Sequence, residues 1–175
     1  GVGFMLITQD SKHNPAFWEF VKALGAIGPR FQSSSGTMME RISSGENVLG
    51  YNIFASYAVL RAKKDPSIGY VLPKDYTLVM SRVQFISKSA KNPNAAKLWL
   101  DYVLSKRGQT IIANQADLGS IRNDVEGEMT AAGLAKTLGS SVRPIPVNAE
   151  LLVYLDQTKR LDFLKQWQTA IKGGK

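Results

Sequence analysis

Two short runs carry the side chains best suited to holding a small ligand. The first is Ser33-Ser34-Ser35-Gly36-Thr37, which leads straight into Met38-Met39-Glu40-Arg41-Ile42. A helix N-terminus leaves backbone N–H groups unpaired and carries partial positive charge. Hydroxyls of Ser33, Ser34, Ser35 and Thr37 add donors, and Gly36 lets a ligand approach the backbone closely. Such a cradle suits an anion. The run also serves as a plain helix start, because Thr37 and Glu40 have the Thr-x-x-Glu spacing of a capping box. The second run is Tyr51-Asn52-Ile53-Phe54-Ala55-Ser56-Tyr57, expected at the end of a strand. In open α/β sheets, ligands lie beyond the carboxyl ends of strands. Asn52, Ser56, Tyr51 and Tyr57 are therefore candidates to face one, while Phe54, and equally Tyr51, fit a core role.

Reactive chemistry finds little support. The chain has no cysteine and a single histidine, His13. Disulfides, thiolate metal sites and a cysteine nucleophile are excluded. One histidine gives little basis for a histidine-rich metal site or a Ser-His-Asp triad, and His13, just before a helix start, is expected to be exposed. The carboxylates are dispersed, with no P-loop and no His-Glu-x-x-His run. No enzyme activity, metal or cofactor is expected. The net charge is +8, from 22 Lys and Arg against 14 Asp and Glu. The densest basic groups, Arg61-Ala62-Lys63-Lys64 and residues 88–97, are short and interrupted. With no nucleic-acid motif beside them, they read as a solvated basic surface.

The elements that position these runs alternate between strand and helix. Residues 2–8 are apolar and read as a buried strand. Asn14-Pro15 starts a helix with Phe17, Val21 and Leu24 on one face, stopped by Gly25. The helix after Thr37 ends at Ser44-Gly45. Residues 48–55 and 68–72 read as strands, with a helix over 57–64 between them. Residues 77–87 alternate enough for one or two strands. Asn92-Pro93-Asn94 opens the clearest helix, apolar on most sides through Leu98, Trp99, Leu100, Tyr102, Val103 and Leu104, and so expected to be largely buried. Gly108 interrupts it, and residues 109–114 continue helical. Residues 125–138 are weakly helical, Arg143-Pro144-Ile145-Pro146 is extended, and residues 149–158 and 162–171 form two closing helices. Gly173-Gly174-Lys175 reads as a frayed end. The class is α/β. Hydrophobic residues make up 44% of 175, ordinary for a globular chain. No apolar run approaches the roughly 18 residues that cross a bilayer.

Residues 92–109 read Asn-Pro-Asn-Ala-Ala-Lys-Leu-Trp-Leu-Asp-Tyr-Val-Leu-Ser-Lys-Arg-Gly-Gln. This run resembles the hallmark helix of bacterial extracellular solute-binding proteins of ABC importers, with its Asn-Pro start and closing Ser-x-x-Gly-Gln. Phe85-Ile86-Ser87-Lys88-Ser89-Ala90 is similar to the strand before that helix. Ser34-Ser35-Gly36, the short helix ending at Gly45-Glu46 and the segment 48–52 also match in order, so the resemblance covers most of residues 2–123. The nearest branch is the one that holds ferric-iron, thiamine and phosphonate binding proteins. It implies the type 2 periplasmic-binding-protein fold, in which two α/β lobes joined by crossing strands trap ligand between them. On that pattern residues 1–76 form the main part of the second lobe. Residues 77–123 are the returning segment of the first lobe, and 124–175 the closing helices of the second. The chain, which opens on an apolar run with neither initiator Met nor signal peptide, is then the C-terminal portion of an exported, periplasmic protein.

The resemblance implies a small-molecule ligand, an ABC permease of the inner membrane as partner, and no nucleic acid. Iron-binding members carry adjacent tyrosines after an Asn. Here Asn52 is followed by Ile53, Phe54 and Ala55, so an organic or phosphorylated anion is favoured over ferric iron. The ligand-binding set is Ser34, Ser35, Gly36, Thr37, Asn52, Tyr51 and Tyr57. A ligand-sensing domain of a transcription regulator shares a similar fold, but would need a helix-turn-helix upstream. An enzyme on a related fold would need acid-base or nucleophilic residues that are absent. With the first lobe missing, residues 77–123 are expected to expose apolar surface that another chain or a rearrangement covers.

Overall fold

Helices dominate residues 1–116, 118–128 and 130–174, which a computed structural model describes. They are α1 (Val2–His13), α2 (Phe17–Ala26), α3 (Ser35–Ser43), α4 (Ala55–Ala62), α5 (Pro93–Leu104), α6 (Lys106–Gln115), α7 (Ala131–Leu138) and α8 (Gln157–Lys172). Two three-residue strands, β1 (Thr77–Val79) and β2 (Val142–Pro144), pair in parallel with Thr77 opposite Val142 and Val79 opposite Pro144. The class is α/β as expected, weighted towards helix.

Several expected strands are absent. Residues 2–8 lie in α1, not in a strand. A short apolar run does not separate strand from buried helix, and here Phe4 and Ile7, three apart, pack on the core of Phe17, Val21 and Phe163. Residues 48–55 and 68–72 are irregular up to the start of α4, and only 77–79 of residues 77–87 is strand. A strand needs a hydrogen-bonding neighbour, and these segments have none among the described residues. Val48 is 98% exposed, so no sheet covers it.

The first core forms where α2 meets α8. A Cβ on Gly25 would stand 2.0 Å from the Ile171 carbonyl oxygen, and one on Gly174 would stand 2.0 Å from that of Lys22. The glycines let the two backbones touch. Gly25 therefore acts inside α2 as a contact residue, and the helix runs on to Ala26. Gly173 and Gly174 are not a frayed end: Gly173 caps α8, with its N–H on Thr169 C=O at 2.9 Å. Lys175 lies outside the described residues. Ahead of α8, the stretch Ala149–Leu155 is a 3-10 helix.

A second core, Met39, Ala58 and Ile68 with Ile42, Ile53 and Ala62, holds α3 against α4. The two helix ends are also tied by polar groups. Ser43 Oγ donates to Asp65 Oδ2 at 2.5 Å, and Arg61 Nε lies 3.6 Å from the same oxygen. The hydroxyl bonds from Ser43 and Ser67 pull the Asp65 carboxyl down to about 2.

The break between α5 and α6 falls at Ser105, not at Gly108. Ser105 Oγ accepts from Gly108 N–H at 3.1 Å and donates to Tyr102 C=O at 2.7 Å. Gly108 is buried because a Cβ there would come 2.1 Å from the Tyr102 carbonyl oxygen. Gln109 completes the corner. Its Nε2 donates to Val103 C=O at 2.8 Å, and its Oε1 accepts from Ile121 N–H at 2.9 Å and Ser120 Oγ at 3.2 Å. Ser-x-x-Gly-Gln is thus a cap, a close approach and a buried clamp. The helix it closes is mostly uncovered. Only Val103 of α5 is buried, while Leu98 is 72% and Trp99 64% exposed. Of residues 125–138 only α7 is helical. Thr130 caps it by accepting from Gly133 N–H at 3.0 Å, and Met129 lies outside the described residues.

Candidate functional site

The serine run folds as a cap. Ser34, not Thr37, is the N-cap of α3. Its Oγ accepts from Thr37 N–H at 3.1 Å and lies 3.1 Å from Thr37 Oγ1. Thr37 stands in the first turn, so the expected Thr37–Glu40 capping box is replaced by a Ser34–Thr37 pair. Met38 N–H reaches Ser34 C=O at 3.2 Å. The Ser35 and Gly36 N–H groups donate to no protein acceptor among the described residues. Ser33, Ser34 and Gly36 are exposed, with Ser35 and Thr37 half-buried. A Cβ on Gly36 would meet nothing nearer than Ser34 Oγ at 3.7 Å. The approach to these two N–H groups is open, and the helix dipole favours negative charge there.

The second run lies beside α3, because Ile53 packs on the second core, to which α3 contributes Met39. Asn52 has φ 62, the one positive φ among described non-glycine residues. Asparagine tolerates this left-handed backbone better than most residues. Phe54 caps α4 and is half-buried. Tyr57, on the first turn of α4, stays 38% exposed and accepts from Arg82 Nη2 at 3.3 Å. No hydrogen bond among the described residues joins residues 33–37 to residues 51–57. The two runs share a core, but each presents its polar groups separately.

Tyr51 is bound by a residue the sequence did not single out. Its hydroxyl donates to Asp10 Oδ2, and the Tyr76 hydroxyl donates to Asp10 Oδ1 at 3.0 Å. Asp10, on α1, is buried. Burial and the Asp10 carboxylate hold both phenols well above the ordinary tyrosine range. Asp10 and Tyr76 lie 41 and 25 residues from Tyr51, with no motif to link them. Arg82 likewise had no signal beyond its position after β1. His13 is exposed as expected, and its ring lies 5.7 Å from that of Tyr76.

No group of three or more His, Asp or Glu side chains among the described residues is arranged to hold a metal. An open groove of about 440 Å³ runs along α8 beside Trp18, and a cavity of about 50 Å³ lies between α1 and the 3-10 helix. Neither is lined by residues 33–37 or 51–57. No described helix is long and apolar enough to cross a membrane.

Comparison with known proteins identifies the family. The profile of the bacterial extracellular solute-binding protein family matches residues 3–137. The chain is similar to the crystal structure of the substrate-binding protein of an ABC transporter from Agrobacterium tumefaciens, at 42% identity and a TM-score of 0.89. The match covers 98% of this chain and 52% of that one, so the chain spans about half the length of its solved relative. No curated protein shows a significant match. The capped corner at Ser105–Gln109, the family profile over residues 3–137 and the shared fold together place the chain in the family of bacterial extracellular solute-binding proteins.

Proposed function

We propose that the chain is the C-terminal portion of the solute-binding component of an ABC importer, exported to the periplasm, which captures a small anionic or phosphorylated ligand and presents it to an inner-membrane permease. The observation that carries the ligand class is the start of α3: two unpaired N–H groups, at Ser35 and Gly36, with the hydroxyls of Ser34 and Thr37 beside them and nothing blocking the approach. Asn52 and Tyr57 extend this wall, and Arg82 brings a cation to Tyr57. A wall needs an opposite wall. On the two-lobed reading, residues 1–76 and 124–175 belong to one lobe and 77–123 to the other, with the chain crossing at β1 and the β1–β2 pair spanning the division. Ligand would then bind by closure of the lobes. The uncovered apolar side chains of residues 83–104, among them Phe85, Leu98 and Trp99, favour a contact on this segment. The rest of the first lobe would cover them.

Ferric iron is the less favoured cargo. Ile53, Phe54 and Ala55 stand where the adjacent tyrosine pair would be, and the Tyr51 hydroxyl is engaged by Asp10. The test is a thermal-shift screen of the full-length protein with phosphate, phosphonates, sugar phosphates, thiamine, polyamines and ferric citrate. A ligand at about 100 times its Kd stabilises by about 2.7 kcal/mol. A shift with a phosphorylated or phosphonate compound that is lost in Ser35→Ala supports the proposal. A shift with ferric citrate alone would overturn it.

A further inference from the structure

Asp10 is a buried carboxylate, 7% exposed, whose two oxygens are each taken by a phenol from a different part of the chain. Tyr51 opens the loop that carries Asn52, and Tyr76 is the residue immediately before β1. Both rings are also gripped by the α1–α2 unit. Tyr51 meets Phe20 edge-on at 5.2 Å, and Tyr76 lies 5.7 Å from His13. That unit is anchored in turn by Phe17 and Val21 in the first core.

We infer that Asp10 is a positioning residue that couples the loop at Asn52 to the strand β1, through one shared acceptor for Tyr51 and Tyr76. The inference rests on the proposed role of β1 as the crossing between lobes. A buried carboxylate is stable only while its hydrogen bonds are made. Displacing the Tyr51 hydroxyl leaves one Asp10 oxygen without its donor and loosens the frame that holds Tyr76. Displacing Tyr76 does the same to Tyr51. A displacement at the loop is thereby felt at the entry to the crossing strand, and the reverse.

The test is amide hydrogen exchange on the full-length protein without ligand, comparing Tyr51→Phe, Tyr76→Phe and Asp10→Asn. Two reporters are fixed by structure. Tyr57 and Ala58 N–H groups bond to Phe54 C=O at the start of α4, and Ile145 N–H bonds to Val79 C=O beside β1. Removing either hydroxyl is expected to speed exchange at the distant reporter as well as the near one, on the order of fivefold for one lost hydrogen bond. Tyr76→Phe should thus act on Tyr57 and Ala58, and Tyr51→Phe on Ile145. Asp10→Asn should move both. Changes confined to each substitution's own segment would overturn the inference. So would a cross-effect that persists undiminished when Tyr76→Phe is made on the Asp10→Asn background. The two phenylalanine variants each lose one oxygen atom and decide the matter even if Asp10→Asn does not fold. Because no ligand is present, a failed ligand screen leaves this readout standing, and a successful screen cannot rescue it.

Discussion

Gln109 offers the sharpest test of how the family motif works. The residue is 4% exposed, and its amide satisfies Val103 C=O, Ile121 N–H and the Ser120 hydroxyl. In Gln109→Ala all three lose this partner, although Ser120 Oγ still accepts from Arg122 N–H at 3.1 Å. Val103 and Ser120 are buried, so water does not replace the amide there, whereas Ile121 is exposed enough to find water. The buried Val103 carbonyl left unsatisfied, the lost Ser120 hydroxyl bond and the space left by the amide together give a loss of about 3 kcal/mol. For a chain of this size that lowers Tm by roughly 6–12 °C. Gln109→Glu separates the two ends of the amide. It keeps the acceptor for Ile121 and Ser120, but sets a carboxylate oxygen against the Val103 carbonyl. Burial and that carbonyl raise the introduced carboxyl above its unfolded value. The protonated form is then favoured by folding, so the deficit is largest at neutral pH and shrinks as pH falls towards about 4. Urea unfolding across that range measures it. A Gln109→Ala loss under about 1 kcal/mol, or a Gln109→Glu deficit that does not change with pH, would refute the clamp.

Gly36→Ala is expected to keep or slightly raise stability, by about 0.5–1 kcal/mol from helix propensity, since its Cβ meets only Ser34 Oγ, at an ordinary contact distance of 3.7 Å. Isothermal titration with the phosphorylated compound selected by the screen should show weakened binding if the ligand sits on the α3 N-terminus. Gly25→Ala should cost about 3 kcal/mol in chemical denaturation, because its Cβ would stand 2.0 Å from a backbone oxygen of α8 that cannot move aside; an unchanged midpoint would contradict the close packing. The phenols of Tyr51 and Tyr76 are raised by burial first and by Asp10 next. Their contribution is complete below about pH 10 and is lost as pH rises through the folded values. Tyr51→Phe with Tyr76→Phe should flatten the alkaline fall in stability, as followed by circular dichroism.

Local signals were legible wherever chain geometry is decided locally. Asn92-Pro93 starts α5 and Gly45, with φ 76, ends the turn after α3, as read from residue type alone. The serine run stands at a helix start as its composition implies, although the cap is Ser34, in extended backbone, and Thr37 lies in the first turn. Failures came where a partner decides. Residues 2–8 are apolar enough for either element, and only the far side, Phe163 on α8, settles them as helix. Residues 48–55 have strand composition but no neighbour to pair with. Tyr51 was singled out for its type, yet its acceptor lies 41 residues upstream and its companion phenol 25 residues downstream. A buried Asp among Gln9, Asp10 and Ser11 looks in sequence like the polar end of a helix.

The exposed face of α5 fits the same distinction. A helix apolar on most sides is ordinarily held by burial, yet here Leu98 and Trp99 face outward while the helix stays formed. What holds it is local and end-on: Pro93 in the first turn, Ser105 at the close, and the Gln109 clamp fastening its last turn to residues 120–121. The helix is thus set in position with little help from its apolar face, of which only Val103 is buried. Burying one large apolar side chain contributes about 1.5–3 kcal/mol, so Phe85, Leu98, Trp99 and Tyr102 together could supply a contact comparable to the stability of a small domain. On the two-lobed proposal this is the expected division of labour. The returning segment is pre-shaped by caps and a buried amide, and its apolar face supplies the free energy that joins it to the remainder of the first lobe.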